Sequence, residues 1–393
     1  SDYLAKKKKA EGYLTAKEAR TISRANRKIT NELEKKRKRK NVPESEYLTQ
    51  MHNNDNSVEF DDLHTYFFTD AGTVKSVDGV TFEVPIGKTV GVVGESGCGK
   101  SVTASSIMQL LPKFARIEEG EIIYHANDGR GDIPIHTLDR NGKKMRSLRS
   151  KDIAMIFQDP LTALNPVYKV GWQIDENILT HENLKKKEAR QRTVQLMRAM
   201  GIPNPEKRVD QYPHEYSGGM RQRAMIAMAM SCEPKVLLAD EPTTALDVTI
   251  QAQIFDLMDN LKREHDTAIM LITHDMGVVC ELADDVAVMY MGNIIESGNA
   301  REVLKTPAHP YTKALLNSIP ILGRGHGQDI HPIRGATPDP YDRPKGCQFE
   351  PRCDYACEAC KQLEEKHEMP PEQILDGTHM VRCLCAKEVL ADA

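Results

Sequence analysis

Along most of the chain, short apolar runs alternate with stretches of helical period, the arrangement of an α/β protein. Thr89–Val93, Asp152–Phe157, Val236–Ala239 and Ala268–Thr273 are short, largely apolar runs, the form taken by strands buried on both faces. Val58–Phe68 and Val80–Val84 alternate instead, which predicts strands of an antiparallel sheet. From Pro160 to Cys232 the period is mainly helical with Pro and Gly breaks, predicting a helical subdomain over about 159–232. Val286–Tyr290, a Met291-Gly292-Asn293 turn and Ile294–Glu296 predict a closing hairpin.

The two ends read differently. Thr15-Ala16-Lys17-Glu18 has capping-box spacing, and Ile22, Ala25, Ile29 and Leu33 follow at helical intervals. The basic run Lys35–Lys40 ends that helix, where positive charge suits a helix C-terminus, and a polar linker continues to Asn56. Beyond Ala300 come a short helix, the Pro-rich stretch 331–351 and a cysteine-rich module. The expected divisions are therefore 1–56, 57–300 and 301–393, with no internal repeat.

Length and composition change the picture in four ways. A chain of 393 residues can bury a full core. It contains no run of the roughly 18 apolar residues that cross a bilayer, and no apolar export segment near its start, so the expected compartment is the cytosol. The net charge of −4 hides an asymmetry, because residues 1–50 hold 15 Lys/Arg against 7 Asp/Glu. Only this arm invites a polyanion; a solvated tail and contact of residues 1–40 with anionic lipid are the competing readings. Finally, six of the nine cysteines crowd into the last fifty residues, which in a reducing compartment points to metal rather than disulfides.

Gly94-Glu95-Ser96-Gly97-Cys98-Gly99-Lys100-Ser101 fits G-x-x-x-x-G-K-[ST], preceded by the apolar strand Thr89–Val93 and followed by an expected helix Val102–Leu111. Glycines let backbone N–H groups converge on phosphate oxygens at a helix N-terminus. Lys100 should reach the outer phosphates, and the Ser101 hydroxyl should take one Mg²⁺ position. Gly94, Ser96, Gly97, Cys98, Gly99, Lys100, Ser101 and Val102 are the expected contacts to ATP.

Val236-Leu237-Leu238-Ala239-Asp240-Glu241 is an apolar strand ending in two acids, at the end of a sheet where ligands gather. Asp240 should hold Mg²⁺ through water, and Glu241 should polarise the attacking water. Tyr216-Ser217-Gly218-Gly219-Met220-Arg221-Gln222 opens a helix running through Met230, with Ser217 as a plausible N-cap and glycines that leave N–H groups open to an anion. Taken alone, that segment reads better as an ordinary capped helix.

Taken in order with Gln158, Ala245-Leu246-Asp247 and His274, these segments resemble the nucleotide-binding subunits of ABC transporters. The resemblance implies an α/β P-loop NTPase of ABC type, with a mixed parallel core sheet, an antiparallel β subdomain and a helical subdomain. It also implies that two such chains pack head to tail, ATP on one chain's phosphate loop being capped by Ser217, Gly218 and Gly219 of the other. Gln158 would join Mg²⁺ and the nucleophilic water, Asp247 would lie at the dimer seam, and His274 would contact the γ-phosphate. Phe67 matches the family's adenine-stacking position, with Phe68 the runner-up and simple packing of both rings the alternative. Met220 and Thr244 depart from the residues common in the family, without removing a phosphate ligand.

Thr306-Pro307-Ala308-His309-Pro310-Tyr311-Thr312-Lys313-Ala314-Leu315 resembles the C-terminal extension of oligopeptide and dipeptide importer ATPases. That likeness implies a second ABC ATPase subunit, a sister chain, with two transmembrane permease subunits and an extracytoplasmic solute-binding protein, on the cytoplasmic face of the membrane. Related importers carry nickel or oligosaccharides. A soluble ATPase acting on nucleic acid would be expected to carry tandem cassettes or a coiled coil, and this chain has one cassette and no heptad run. Cys347, Cys353, Cys360 and Cys383 follow the subfamily's C-x5-C-x6-C pattern with a distal cysteine, implying a [4Fe–4S] cluster. Zn²⁺ is the competitor, and Cys357 and Cys385 would be spares. Too little chain follows Cys360 for the barrel that a radical S-adenosylmethionine triplet would need. Distance from the ATP site gives the cluster no obvious redox role, which leaves a structural or sensing one.

Overall fold

The computed structural model describes residues 15–37, 51–159, 163–243, 246–318 and 333–392. Lys38–Lys40, Thr244 and Ala245 therefore lie outside the described residues. Two sheets organise the described residues. Strands β1 (Asn56–Phe68), β2 (Thr73–Pro85), β4 (Ala115–Ala126) and β5 (Gly131–Pro134) form an antiparallel sheet in the order β2-β1-β4-β5. The second sheet comprises β3 (Thr89–Val93), β6 (Ile153–Ile156), β7 (Val236–Asp240), β8 (Ala268–Thr273), β9 (Asp285–Tyr290), β10 (Asn293–Asn299), β11 (Gln373–Ile374) and β12 (Met380–Val381). Its order is β11-β12-β10-β9-β3-β8-β7-β6, and β6, β7, β8, β3 and β9 run parallel.

The apolar runs are explained by this sheet. Every residue of β3, β6, β7 and β8 is buried, because both faces are covered. Successive residues serve opposite cores: Val236, Leu238, Met270 and Ile272 face the antiparallel sheet and the helix Lys100–Ile107, while Leu237, Ala239, Ile269 and Leu271 face the helices between 163 and 229. One-residue alternation between two cores demands apolar side chains at every position.

The hairpin expected at Val286–Glu296 is present as β9 and β10, paired antiparallel. Two expectations are corrected. The helix after the phosphate loop spans Lys100–Ile107, not Val102–Leu111. It begins on the left-handed Gly99 (φ 110), and soon after its end Gln109 (φ 52) takes a backbone conformation that no continuing helix allows. β2 is also far longer than Val80–Val84, and β4 carries a charged interruption, Glu118-Glu119-Gly120-Glu121, that hides its alternation. There Gly120 (φ 82) packs so closely against β1 that a Cβ would lie 2.0 Å from the Asp62 carbonyl oxygen.

The N-terminal helix spans Ala16–Arg37 and opens on the expected capping box: the Thr15 N–H donates to Glu18 at 2.9 Å and the Glu18 N–H to Thr15 Oγ1 at 3.3 Å. It is docked as well as appended, since buried Asn26 donates to the Thr69 carbonyl at 2.8 Å and Glu34 pairs with Arg116 at 2.7 Å. At the other end, β12 extends the core sheet by pairing with β10. Arg343 straps the segment before the cysteines onto the antiparallel sheet, donating to Asp78 and to the Lys75 carbonyl, each at 3.0 Å. Among the described residues no helix is long and apolar enough to cross a membrane.

Candidate functional site

The C-terminal ends of the parallel strands carry the expected groups. β3 leads into Gly94, whose φ of 151° and close approach to Met289 exclude a side chain: a Cβ would sit 2.2 Å from the Met289 carbonyl oxygen. Gly99 is equally constrained, with a Cβ position 2.3 Å from the Ser76 carbonyl oxygen. Immediately after Gly99, Lys100 bends back over the loop, donating to the carbonyls of Gly94 at 2.6 Å and Glu95 at 2.9 Å. Ser101 Oγ donates to Asp240 Oδ1 at 3.0 Å, bringing together the hydroxyl and the carboxylate expected around Mg²⁺. Burial, with the neighbouring Glu241 charge, raises the Asp240 carboxyl above its usual range despite the Ser101 hydrogen bond. A hydroxyl and a buried carboxylate of raised proton affinity form an oxygen donor set suited to a hard divalent cation.

Glu241 follows β7 with φ 48°, a left-handed conformation unusual for a side-chain-bearing residue. Its N–H donates to the Ile272 carbonyl at 2.9 Å, which ties the strained residue to β8. From β8 comes His274, whose Nδ1 stands 2.9 Å from Glu241 Oε1; from beyond β6 comes Gln158, whose Nε2 donates to Glu241 Oε2 at 3.0 Å. Three residues from three strand ends thus meet on one carboxylate.

Phe67 and Phe68 separate clearly. Phe68 is only 7% exposed and belongs to the core, whereas Phe67 is half-buried and packs beside Phe114, centroids 5.8 Å apart. Phe114, itself half-exposed, was not singled out in the sequence; its proximity to Phe67 arises only through the β1–β4 pairing.

Ser217 caps the helix Gly218–Ala229, its Oγ accepting from the Met220 N–H at 3.3 Å. Asp247 caps the helix Val248–His265, accepting from the Ile250 N–H at 3.1 Å. Both caps are exposed, and among the described residues nothing lies within 4 Å of where a Cβ on Gly218 would sit. Gln222, buried in the same helix, donates to the Pro242 carbonyl at 2.5 Å and so connects the glycine turn to the segment after Glu241.

The cysteines depart from the expected set. The three sulfurs within 4.8 Å of one another belong to Cys357, Cys360 and Cys385, two of which were expected to be spares. The cause is helical: Cys357 caps Glu358–Lys366, placing Cys360 3.6 Å away, and Cys385, capping Ala386–Ala391, comes within 3.2 Å of Cys357. Cys347, Cys353, Cys360 and Cys383 nonetheless line one small cavity, together with Cys385, Phe349 and His309. Burial pushes the thiols of Cys347, Cys353 and Cys383 up to about 11, 12 and 12, and neighbouring thiolates add to each shift. Such a donor set is soft and short of positive charge, which suits a thiophilic cation.

Comparison with known proteins agrees with this geometry. The ABC transporter family profile matches residues 77–244, and that of the oligopeptide/dipeptide transporter C-terminal region matches 295–360. The chain is 47% identical over 322 residues to the dipeptide transport ATP-binding protein DppD of Bacillus subtilis, covering 82% of this chain and 92% of that one. It is 47% identical over 326 residues to the oligopeptide transport ATP-binding protein OppD of the same organism, covering 83% and 87%. Among solved structures, the dimeric ATP-binding cassette MJ0796 bound to ADP and Pi is similar in fold, with TM-score 0.55 and 22% identity over 62% of this chain and 99% of that one. The cbiO1 structure from Clostridium perfringens gives TM-score 0.51 and 28% identity, covering 64% and 91%. The fold is that of an ABC-type P-loop nucleotide-binding domain, and the chain belongs to the ATP-binding subunits of the oligopeptide/dipeptide ABC transporter family.

Proposed function

We propose that the chain hydrolyses ATP at the ends of β3, β7 and β8 to drive import of dipeptides or oligopeptides. The observation that carries the reading is the convergence of Gln158 and His274 on the two oxygens of Glu241. In it, Lys100 and the loop N–H groups hold the phosphates, Ser101, Gln158 and Asp240 hold Mg²⁺, and Phe67 stacks on adenine. Glu241 accepts a proton from the attacking water as that water adds to the γ-phosphorus and ADP departs. His274 steadies the carboxylate and meets the γ-phosphate.

The exposed caps at Ser217 and Asp247, and the open space at Gly218, support a second ATPase chain as the other half of each site. A groove lined by Asn165, Tyr168 and Trp172, with the two rings stacked at 4.4 Å and both partly exposed, supports a contact for the permease subunits at the cytoplasmic face. The extracytoplasmic binding protein completes the importer. Peptide cargo rests on the relatives named above. Purification from native membranes tests the assembly: co-purifying permeases, a sister ATPase and a binding protein support it. Uptake of labelled dipeptide, nickel and oligosaccharide then separates the cargoes.

For the cysteine module we infer a [4Fe–4S] cluster on Cys347, Cys353, Cys360 and Cys383, supported by their shared cavity. Zn²⁺ is the second reading, favoured by the proximity of Cys357, Cys360 and Cys385. When bound, either group would supply cross-linking charge to the module. Metal and acid-labile sulfide analysis of anaerobically purified protein separates them: iron with sulfide supports the cluster, and stoichiometric zinc without sulfide overturns it.

A further inference from the structure

Glu95, the first variable residue of the phosphate loop, is gripped at three of its groups. Its N–H donates to Tyr311 Oη at 2.7 Å, and its carbonyl accepts from Lys100 at 2.9 Å. Its carboxylate takes a two-pronged bond from Arg352, Nη1 at 2.6 Å and Nη2 at 3.0 Å. Tyr311 lies on the helix Pro310–Asn317, and Arg352 ends the turn Glu350–Arg352, immediately before Cys353. Two of the three grips therefore come from the C-terminal extension.

Arg352 is built for this one position. Its side chain is 4% exposed, and each of its five N–H donors has an acceptor: both Glu95 oxygens, Tyr290 Oη and the carbonyls of Arg334 and Gly335. Its guanidinium lies 5.9 Å and 5.8 Å from the ring centroids of Tyr290 and Phe349, and Tyr311 packs against both rings, at 4.7 and 5.3 Å between centroids. A planar, bidentate guanidinium fixes direction as well as distance, which a lysine at the same place would not do.

The loop needs such a hold. Gly94, Gly97 and Gly99 have φ of 151°, 81° and 110°. Close backbone neighbours pin Gly94 and Gly99, but nothing lies within 4 Å of a Cβ on Gly97 among the described residues. A glycine-rich loop loses much conformational freedom when it closes on phosphates, and anchoring it beforehand lowers that cost.

We propose that Arg352 is a positioning residue that braces the phosphate loop through Glu95, so that the fold of the cysteine module sets affinity for ATP. The inference rests on the reading of Gly94–Ser101 as the ATP site. Arg352 touches no reacting atom; it acts only through Glu95. Cys353 follows the turn that carries it, and the Cys347 carbonyl accepts from the Glu350 N–H at 3.0 Å, so disturbance of those cysteines moves the guanidinium and loosens the loop.

Equilibrium binding of Mg-ATP to the full chain tests this, using Arg352→Met, Glu95→Ala, their double variant, and Cys353→Ser with and without Arg352→Met. Each single change should weaken binding about five- to tenfold, within the usual range of coupling between sites. The Arg352/Glu95 double variant should bind no more weakly than the weaker single one. Cys353→Ser should add nothing once Arg352 is gone. In turnover, KM should rise while kcat at saturating ATP holds. Multiplying effects, or unchanged binding by Glu95→Ala, would overturn the brace. Should Arg352→Met lose its near-UV circular dichroism, Glu95→Ala, altered in the loop alone, carries the test. Lys100→Ala separates the two readings: if it binds ATP as well as the parent chain, the site itself is wrong. If it loses ATP while Glu95→Ala does not, only the brace fails.

Discussion

His274 Nδ1 stands 2.9 Å from Oε1 of Glu241, while the other oxygen of the same carboxylate accepts from Gln158. The carboxylate is thus oriented from both sides, on a residue whose φ of 48° is held by its own N–H bond to Ile272. A proton acceptor fixed this way avoids reorganisation during the reaction. The side chain of Glu241 is 14% exposed and that of His274 63%, so the histidine forms the open wall on which a γ-phosphate could bear.

Replacing Glu241 with Gln keeps the hydrogen-bonding shape and removes the proton acceptor. ATP binding should persist, turnover should fall by about 10²–10⁴-fold, and ATP should trap a closed dimer. Single-turnover hydrolysis and size-exclusion chromatography with ATP measure both; unchanged turnover would remove Glu241 from its role.

Lys100→Ala acts at the earlier step. Its ammonium already sits within hydrogen-bonding distance of the Gly94 and Glu95 carbonyls, so a short swing carries it to a phosphate. Charged hydrogen bonds of about 1.5–3 kcal/mol each make its loss enough to abolish binding at ordinary ATP concentrations. Isothermal titration should show no saturable ATP binding, and retained affinity would contradict the phosphate-loop assignment.

Stability should depend on acid through Asp78. Burial raises its carboxyl, but the Tyr66 hydrogen bond and the Arg343 and Lys75 charges outweigh this and hold it below its usual range. A depressed carboxyl contributes stability above its unfolded pKa of about 3.9, and the contribution is lost as pH falls through the lower, folded value. Asp78→Asn should therefore lower Tm at pH 7, and the gap to the parent chain should close below about pH 4. A gap that persists or widens in acid would mean that the strap through Arg343 is not electrostatic.

The site was legible wherever its residues are contiguous or follow a strand. The phosphate loop, Asp240-Glu241 and His274 each close an apolar run, and the ends of neighbouring parallel strands lie side by side by construction. The choice between Phe67 and Phe68 required their exposures, because adjacent strand residues face opposite ways and the sequence alone does not say which face is open. The N-terminal helix was legible from its capping box, whereas its docking through Asn26 was not. The Arg352–Glu95 pair was invisible: it joins positions 257 residues apart, and neither partner belongs to a periodic pattern. That contact corrects the expectation of a remote cysteine module, which instead reaches the phosphate loop directly. Likewise Cys357 and Cys385 looked superfluous by spacing until two helix caps brought their sulfurs together.

Each nucleotide should be enclosed by two chains, and the open position at Gly218 offers the most direct test. The Cβ of an aspartate there would have no described atom within 4 Å beyond its own helix and chain neighbours, so the fold and binding of ATP should survive. In the assembled complex its charge would face the triphosphate held by the neighbour. The decisive measurement is ATP turnover by the complex carrying Gly218→Asp, alongside ATP affinity of the same variant. The predicted result is parent-like affinity with turnover reduced by about 10²-fold or more, as when a donor to developing phosphate charge is lost. Turnover at the parent rate would contradict a shared site.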